Sequence, residues 1–460
     1  MAVNHSAAAV SGYRRIAALA LPALVVLAAE PLYVLVDTAV VGHLGKVSLA
    51  ALGLAGTLLG LAVWLGNVLA YGTTGRAARR FGAGDRPGAV AEGVQASWLA
   101  LLTGLALLVT TQLAAGPLAR VLAGGGPDAA EVAREAELWL RVAVLGAPFI
   151  LLALAGNGWM RGVQDTRRPL YYVLGANLAS AVLCPLLVYG LGWGLVGSAV
   201  ANVTAQTVSG LLFVRALVVE RVPLAPRPDL LRHQLAVSRD LIVRGAAFQA
   251  CFLSAAAVAA RFGAAALAAH QVALQLWFFT ALVLDSVAIA AQSLVGAELG
   301  AGDAARARRT ARQITWLGWW CGVAFAVVLG AGVAVLPALF TDDPAVWAQS
   351  ALIWPWFALL LPMGGIVFAL DGVMIGAGDV TYLRNLTIVA ALAGFLPMTW
   401  AAYAFELGLS GVWAGLTLFL MVRLVALLLR LRTGHWAVPS AVPSAVPSAV
   451  PSPVTPSPQP

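Results

Sequence analysis

Twelve predominantly apolar runs, most of them at or above the ~20 residues that a helix needs to cross a bilayer, recur along this chain. They lie near 16–41, 48–72, 88–112, 134–157, 168–190, 193–216, 236–259, 265–293, 307–335, 346–372, 382–404 and 408–430. Backbone N–H and C=O groups find no water in hydrocarbon, so a spanning segment must satisfy them internally, as a helix does. Of the 460 residues, 61% are hydrophobic and 10% charged. A soluble domain carries about 25% charged residues and could not hide this much apolar surface. The expected fold class is therefore an all-α polytopic membrane protein with twelve transmembrane helices. The N-terminus MAVNHSAAAVSGYRR is polar and the run after it is too long for an h-region, so no cleavable signal peptide is expected.

The formal net charge of +8 does not call for nucleic acid. Lys46 is the one lysine, and the arginines gather in alternate loops. Placing both termini in the cytoplasm puts clusters such as Arg76, Arg79, Arg80 and Arg86, or Arg306, Arg308, Arg309 and Arg312, inside. The opposite side then receives only Lys46, Arg120, Arg134, Arg141 and Arg261. That asymmetry is the positive-inside pattern.

The chain repeats itself. RRFGAGDRPGAVAEGVQASWL (79–99) aligns with AELGAGDAARARRTARQITWL (297–317), and GHLGKVSLAALG (42–53) with ARFGAAALAAHQ (260–271), both at an offset of 218. GNGWMRGVQDT (156–166) matches LDGVMIGAGDV (370–380) at 214. The organisation read from this is a cytoplasmic N-terminus (1–15), a six-helix lobe (16–216), a polar Pro- and Arg-rich linker (217–235) and a second six-helix lobe (236–432). A Pro/Ser-rich segment (433–460) is expected to be a disordered cytoplasmic tail. Parallel repeats related by an axis along the membrane normal place a binding cavity between the lobes, near the midplane.

Four acids interrupt the apolar runs: Glu30 and Asp37 in helix 1, Asp285 in helix 8 and Asp371 in helix 10. A charge in hydrocarbon costs several kcal/mol and marks a functional site by default. Glu30 and Asp37 are seven residues apart, about −20° around a helix and ~10.5 Å along it, so they share a face. Such an acid can load a proton from one side and release it on the other, or hold Na⁺ with neighbouring oxygens. Asp285 repeats Asn67 at offset 218 and Asp371 repeats Asn157 at 214, and these four are expected to line the central cavity or its inner mouth. Pro22 and Pro31 remove backbone hydrogen bonds from helix 1 and make it the expected bending element. Cys184, Cys251 and Cys321 all fall in apolar runs with no metal-ligand spacing, and His43 and His270 sit at outer helix ends. No P-loop, nucleophile elbow or zinc-protease motif is present, so neither catalytic residues, metal nor cofactor are expected.

PLYVLVDTAVVGHLG (31–45), GNGWMRGVQDTRRPL (156–170) and AHQVALQLWFFTALVLDSVAIAAQSLVGAELGAGD (269–303) together resemble the MATE (multidrug and toxic compound extrusion) transporters, most of all their DinF-type branch. The resemblance covers roughly residues 14–432. It implies a V-shaped pair of six-helix bundles exporting small organic compounds in exchange for H⁺ or Na⁺, with the family's helix 1 aspartate falling on Asp37. Many relatives also carry an Asn and an Asp four residues apart on helix 5. Here those positions are Ser180 and Cys184, with Asn177 one turn earlier, and Glu30 is the expected replacement for the missing acid. The expectation is an antiporter for lipophilic cationic or neutral compounds, acting as a monomer in a bacterial plasma membrane without nucleic-acid partners. A lipid-linked precursor flippase of the same superfamily is the alternative, set aside because its relatives have fourteen spans and a basic cavity. A membrane-embedded enzyme would need paired catalytic acids that the spacing does not offer.

Overall fold

The computed structural model describes residues 2–438, with side chains from residue 12 onward except at residue 334. Among the described residues the chain is helical, without strands. The helices are α1 (Ala2–Gly42), α2 (Lys46–Gly82), α3 (Arg86–Ala123), α4 (Ala129–Gly162), α5 (Arg167–Gly190) and α6 (Gly194–Val219). The second lobe contains α7 (Pro228–Arg261), α8 (Ala264–Gly300), α9 (Ala304–Ala331), α10 (Pro344–Gly376), α11 (Val380–Ala404) and α12 (Gly408–Thr433).

Each predicted run coincides with one helix. Most helices extend beyond it, because their polar ends lie outside the stretch that hydropathy detects but still favour helix. The linker is shorter than expected, 220–227, and is tied to α3: Trp98 Nε1 donates to the Leu224 carbonyl at 2.8 Å and Gln95 Oε1 accepts from the Arg227 amide at 2.8 Å. The start of the expected tail is ordered. Gly434 ends α12 in the left-handed region, and Trp436 and Ala437 are buried. Residues 439–460, where a disordered tail is expected, lie outside the described residues.

The duplication is visible residue by residue. Gly45 and Gly263 (φ 125° and 105°), Gly84 and Gly302 (81° and 78°) and Gln164 and Gly378 (64° and 75°) turn the chain at equivalent places. Asp85 and Asp303 cap α3 and α9 by accepting from the Gly88 and Arg306 amides, each at 2.8 Å. Asp303→Ala is expected to lower stability by about 1 kcal/mol, the worth of one N-cap, measurable as a reduced unfolding midpoint in detergent.

The lobes meet at their arginine-rich end. A Cβ on Gly82 would stand 1.8 Å from the Ala297 carbonyl oxygen, and one on Gly300 would stand 1.9 Å from that of Arg79. Only glycine lets α2 and α8 cross this closely, and offset 218 makes the two contacts symmetry equivalents. Around the crossing, Arg79 bonds the terminal carbonyls of α10 at Gly376 and Ala377. Ser293 Oγ donates to the Arg161 carbonyl at 2.7 Å, and Gln234 Nε2 donates to Thr73 Oγ1 at 2.7 Å. This end is closed.

Helix α1 belongs to both lobes. Ile16, Leu19 and Ala20 join the core of the second lobe, whereas Val41 joins a core of the first. Pro22 and Pro31 lie between these two attachments.

Candidate functional site

Asp37 faces inward from α1 and is 5% exposed. Three helices supply its surroundings. Ser198 Oγ of α6 donates to Asp37 Oδ1 at 2.6 Å, and Cys184 Sγ of α5 donates to the same oxygen at 3.2 Å. Trp139 Nε1 of α4 donates to Ser198 Oγ at 3.3 Å, which orients the serine proton toward the carboxylate. One turn down α1, Tyr33 is buried, and its hydroxyl, Ser180 Oγ and Asn202 Oδ1 are buried without hydrogen-bond partners among the described residues. The cluster offers hydroxyl, thiol, amide and carboxylate groups within a single lobe, a set able to hold a proton or a small hard cation.

The expectation that Glu30 completes the Asp37 site is not met. Glu30 is half-buried, and it has no hydrogen bond or ion pair among the described residues. A shared helix face fixes direction but leaves the two carboxyl groups ~10.5 Å apart along the axis, and Asp37 is bonded instead by Ser198 and Cys184. Asn177 is turned to its own helix, donating to the Val173 carbonyl at 3.1 Å.

A second site lies where the lobes face each other. A cavity of about 530 Å³ is lined by Asn67 and Tyr71 of α2, Asp285 of α8 and Asp371 of α10, with an aromatic wall that includes Trp64, Phe248, Trp277 and Trp413. Its volume falls among small-molecule sites. Of the four residues expected to line it, Asn67, Asp285 and Asp371 do. Asn157 does not; it is buried, with no partner for Oδ1 among the described residues.

The acids of this cavity are not alone, and this corrects the picture of an acidic interior. Arg423 Nη2 of α12 donates to both oxygens of Asp371 at 2.7 Å, and Arg244 Nη2 of α7 donates to Oδ2 at 2.5 Å. Both guanidiniums also lie over the Phe248 ring, at 4.7 and 5.3 Å from its centroid. Asp285 accepts from the Tyr71 hydroxyl across the lobe boundary and lies in the field of Arg161, which is buried. Two guanidiniums and two carboxylates thus line the cavity, with the buried Arg161 outside its lining. The signal is in the sequence: Arg244 (LIVRGAAF) and Arg423 (LMVRLVAL) sit within apolar runs, where a base is as costly as an acid. Ser198, Asn202, Tyr33 and Trp139 give no such signal, because neutral polar residues are tolerated in spanning helices.

The repeat divides these features between the lobes. At the positions equivalent to Asp37, Cys184, Ser198 and Asn202 the second lobe has Ala255, Met398, Val412 and Leu416. At those equivalent to Arg244, Asp285, Asp371 and Arg423 the first lobe has Val26, Asn67, Asn157 and Ser209. One lobe holds a lone titratable cluster, and the other holds the charged cavity wall.

Residues 22–186 and 241–400 match the protein-family model described as MatE. The chain is similar to Protein DETOXIFICATION 44, chloroplastic, of Arabidopsis thaliana (34% identity, covering 92% of this chain and 83% of that one). It is similar to the DNA damage-inducible protein F of Escherichia coli strain K12 at 34% identity, covering 91% of each chain. A crystal structure described as MATE in the bent conformation superposes with a TM-score of 0.84 at 24% identity, over 92% of this chain and 95% of that one.

Proposed function

Because the chain belongs to the MATE family of multidrug and toxic compound efflux transporters, in its DinF-type branch, we propose that it is a secondary antiporter. It exports lipophilic organic compounds in exchange for H⁺ or Na⁺, and Asp37 is the coupling carboxylate. The proposal extends to a non-enzymatic monomer that needs no cofactor and lies in a bacterial plasma membrane with both termini on the arginine-rich, cytoplasmic side. The observation that carries it is the burial of Asp37 with neutral donors alone. Ser198 and Cys184 hold the carboxylate, and among the described residues no cation is a hydrogen-bond or ion-pair partner. An acid so placed can be neutralised only by the ion that enters. The cavity of about 530 Å³ is separate from it and receives the organic compound.

The assay is exchange in liposomes with H⁺ and Na⁺ gradients imposed independently. Export driven by one gradient and lost with that gradient supports the reading, and export indifferent to both overturns it. Within the same assay, Ser198→Ala is expected to move the pH of half-maximal export, since it strips the shortest hydrogen bond from Asp37. Glu30→Gln is expected to leave that pH in place. The reverse pattern would return the coupling network to Glu30.

The lipid-linked precursor flippase gains one argument from Arg244 and Arg423, whose guanidiniums suit a phosphate. The twelve spans and a cavity of drug-molecule size favour the antiporter.

A further inference from the structure

The second lobe carries a basic groove at its arginine-rich end, away from both Asp37 and the inter-lobe cavity. Arg308 and Arg312, one turn apart on α9, and Arg432, in the last turn of α12, line a cavity of about 840 Å³. All three are exposed, and none has a hydrogen bond, ion pair or ring contact among the described residues. The acids at this end are engaged elsewhere: Asp379 by Arg430, Glu298 by Arg15 and Arg306, and Asp303 as the cap of α9. Residues 1–11 and 439–460 contain no aspartate or glutamate. The groove thus gathers three guanidiniums and no carboxylate. Farther along α9 its wall turns aromatic. Trp316, one turn after Arg312 and exposed, stands edge-on to Trp319 with ring centroids 5.3 Å apart, and Ile366 and Leu428 add apolar surface.

The repeat shows what becomes of the same groove in the first lobe. The positions equivalent to Arg308, Arg312 and Arg432 are Val90, Val94 and Val218. Val90 and Val94 are buried, with Val222 of the linker packed on their cluster. Trp98, the counterpart of Trp316, donates to the Leu224 carbonyl of that linker. The first lobe therefore covers its groove with its own chain. In the second lobe the valines are replaced by cations, and the indole N–H of Trp316 has no partner among the described residues.

We propose that this groove binds an anionic phospholipid, with the phosphodiester between Arg308, Arg312 and Arg432 and the acyl chains along Trp316 and Trp319. Guanidiniums match phosphate oxygens through their planar fork. Basic pockets between spanning helices take anionic headgroups, and tryptophans mark the level where headgroup gives way to hydrocarbon. The lipid ties α9 to α12, as the linker ties itself to α3 in the first lobe. A soluble phosphate would leave the aromatic wall uncovered, and residues 439–460 would bring no acid side chain to the arginines. The inference is independent of what the transporter exports.

The test uses the purified full-length protein in micelles of a neutral detergent, titrated with phosphatidylglycerol or phosphatidylcholine bearing the same dibrominated acyl chains. Bromine quenches nearby indoles, so tryptophan fluorescence reads occupancy, and native mass spectrometry counts retained lipids. Phosphatidylglycerol is expected to bind at least about tenfold tighter than phosphatidylcholine. Arg312→Gln is expected to weaken it about fivefold, the scale of one arginine near a charged headgroup. Replacing Arg308, Arg312 and Arg432 together by Gln is expected to erase the preference. Arg309→Gln, exposed on the same helix but outside the groove, is expected to keep it. The unfolding midpoint is expected to rise with phosphatidylglycerol in the native protein and not in the triple variant. Equal affinity for the two lipids, equal losses in Arg309→Gln and Arg312→Gln, or displacement of the lipid by inorganic phosphate at equal concentration would each overturn the proposal. Displacement by a synthetic peptide of residues 439–460 would assign the groove to the chain's own end and overturn it as well. Should the triple variant fail to stay monodisperse, Arg312→Gln against Arg309→Gln decides alone.

Discussion

Asp37→Asn is expected to reduce gradient-driven export in liposomes to the protein-free background while the protein remains monodisperse and binds its organic ligand. The side chains are nearly isosteric. The amide can still accept from Ser198 Oγ and Cys184 Sγ, so packing around residue 37 should survive. What disappears is the ability to change charge. If Asp37 is the coupling site, the lobe holds one formal charge more or less according to whether the ion is present, and that difference is what an ion gradient would act upon. A ligand with no differential interaction between two states cannot shift them, and a carboxamide in place of the Asp37 carboxylate gives H⁺ nothing to distinguish. The readouts are coupled flux, ligand binding and thermal unfolding in parallel. Wild-type coupling in the mutant would remove Asp37 from the mechanism.

Gly300→Ala has the second large effect, by a mechanical route. The new Cβ would meet the Arg79 carbonyl oxygen at 1.9 Å and its carbon at 2.7 Å. Backbone atoms cannot rotate away as a flexible side chain can, so the helices must separate or the closed end must open. Overpacking of this kind costs typically ~1–3 kcal/mol even where neighbours can shift, enough to move a two-state equilibrium by about one to two orders of magnitude. Spin labels at Ala83→Cys and Ala301→Cys, both exposed beside the crossing, are expected to show a longer distance in the mutant, with export strongly reduced. An unchanged distance distribution with normal export would show that the crossing is not what closes this end.

The twelve helices and their pairing into lobes were legible because hydropathy and an internal offset are properties of the string itself. The glycines and aspartates of the repeated turns confirm the same offsets in three dimensions. The site was legible only in part. Asp37, Asp285 and Asp371 stood out as acids in apolar runs, but Arg244 and Arg423 were hidden among the many basic residues that mark orientation. Ser198 and Trp139 are ordinary residues until α4, α5 and α6 bring them beside α1. Glu30 shows a different limit: helical spacing suggests a face shared with Asp37, but the hydrogen-bond partners of Asp37 come from Ser198 and Cys184 on other helices, which spacing along α1 cannot reveal.

The Gly82–Gly300 crossing also resembles the isologous contact of a two-fold dimer, in which each surface answers itself. A true homodimer would be obliged to install every ionisable group twice, once on either side of the axis. Fusion into one polypeptide lifts that obligation. Asp37 needs no twin at Ala255, and the Arg–Asp–Arg cluster needs none at Val26, Asn157 and Ser209. On the proposed reading, an ion at Asp37 and a compound in the cavity would share no ligating residue and would not compete for one. Exchange on that reading is a linkage between the two lobes, and linkage is reciprocal: whatever factor the ion imposes on affinity for the compound, the compound imposes on affinity for the ion.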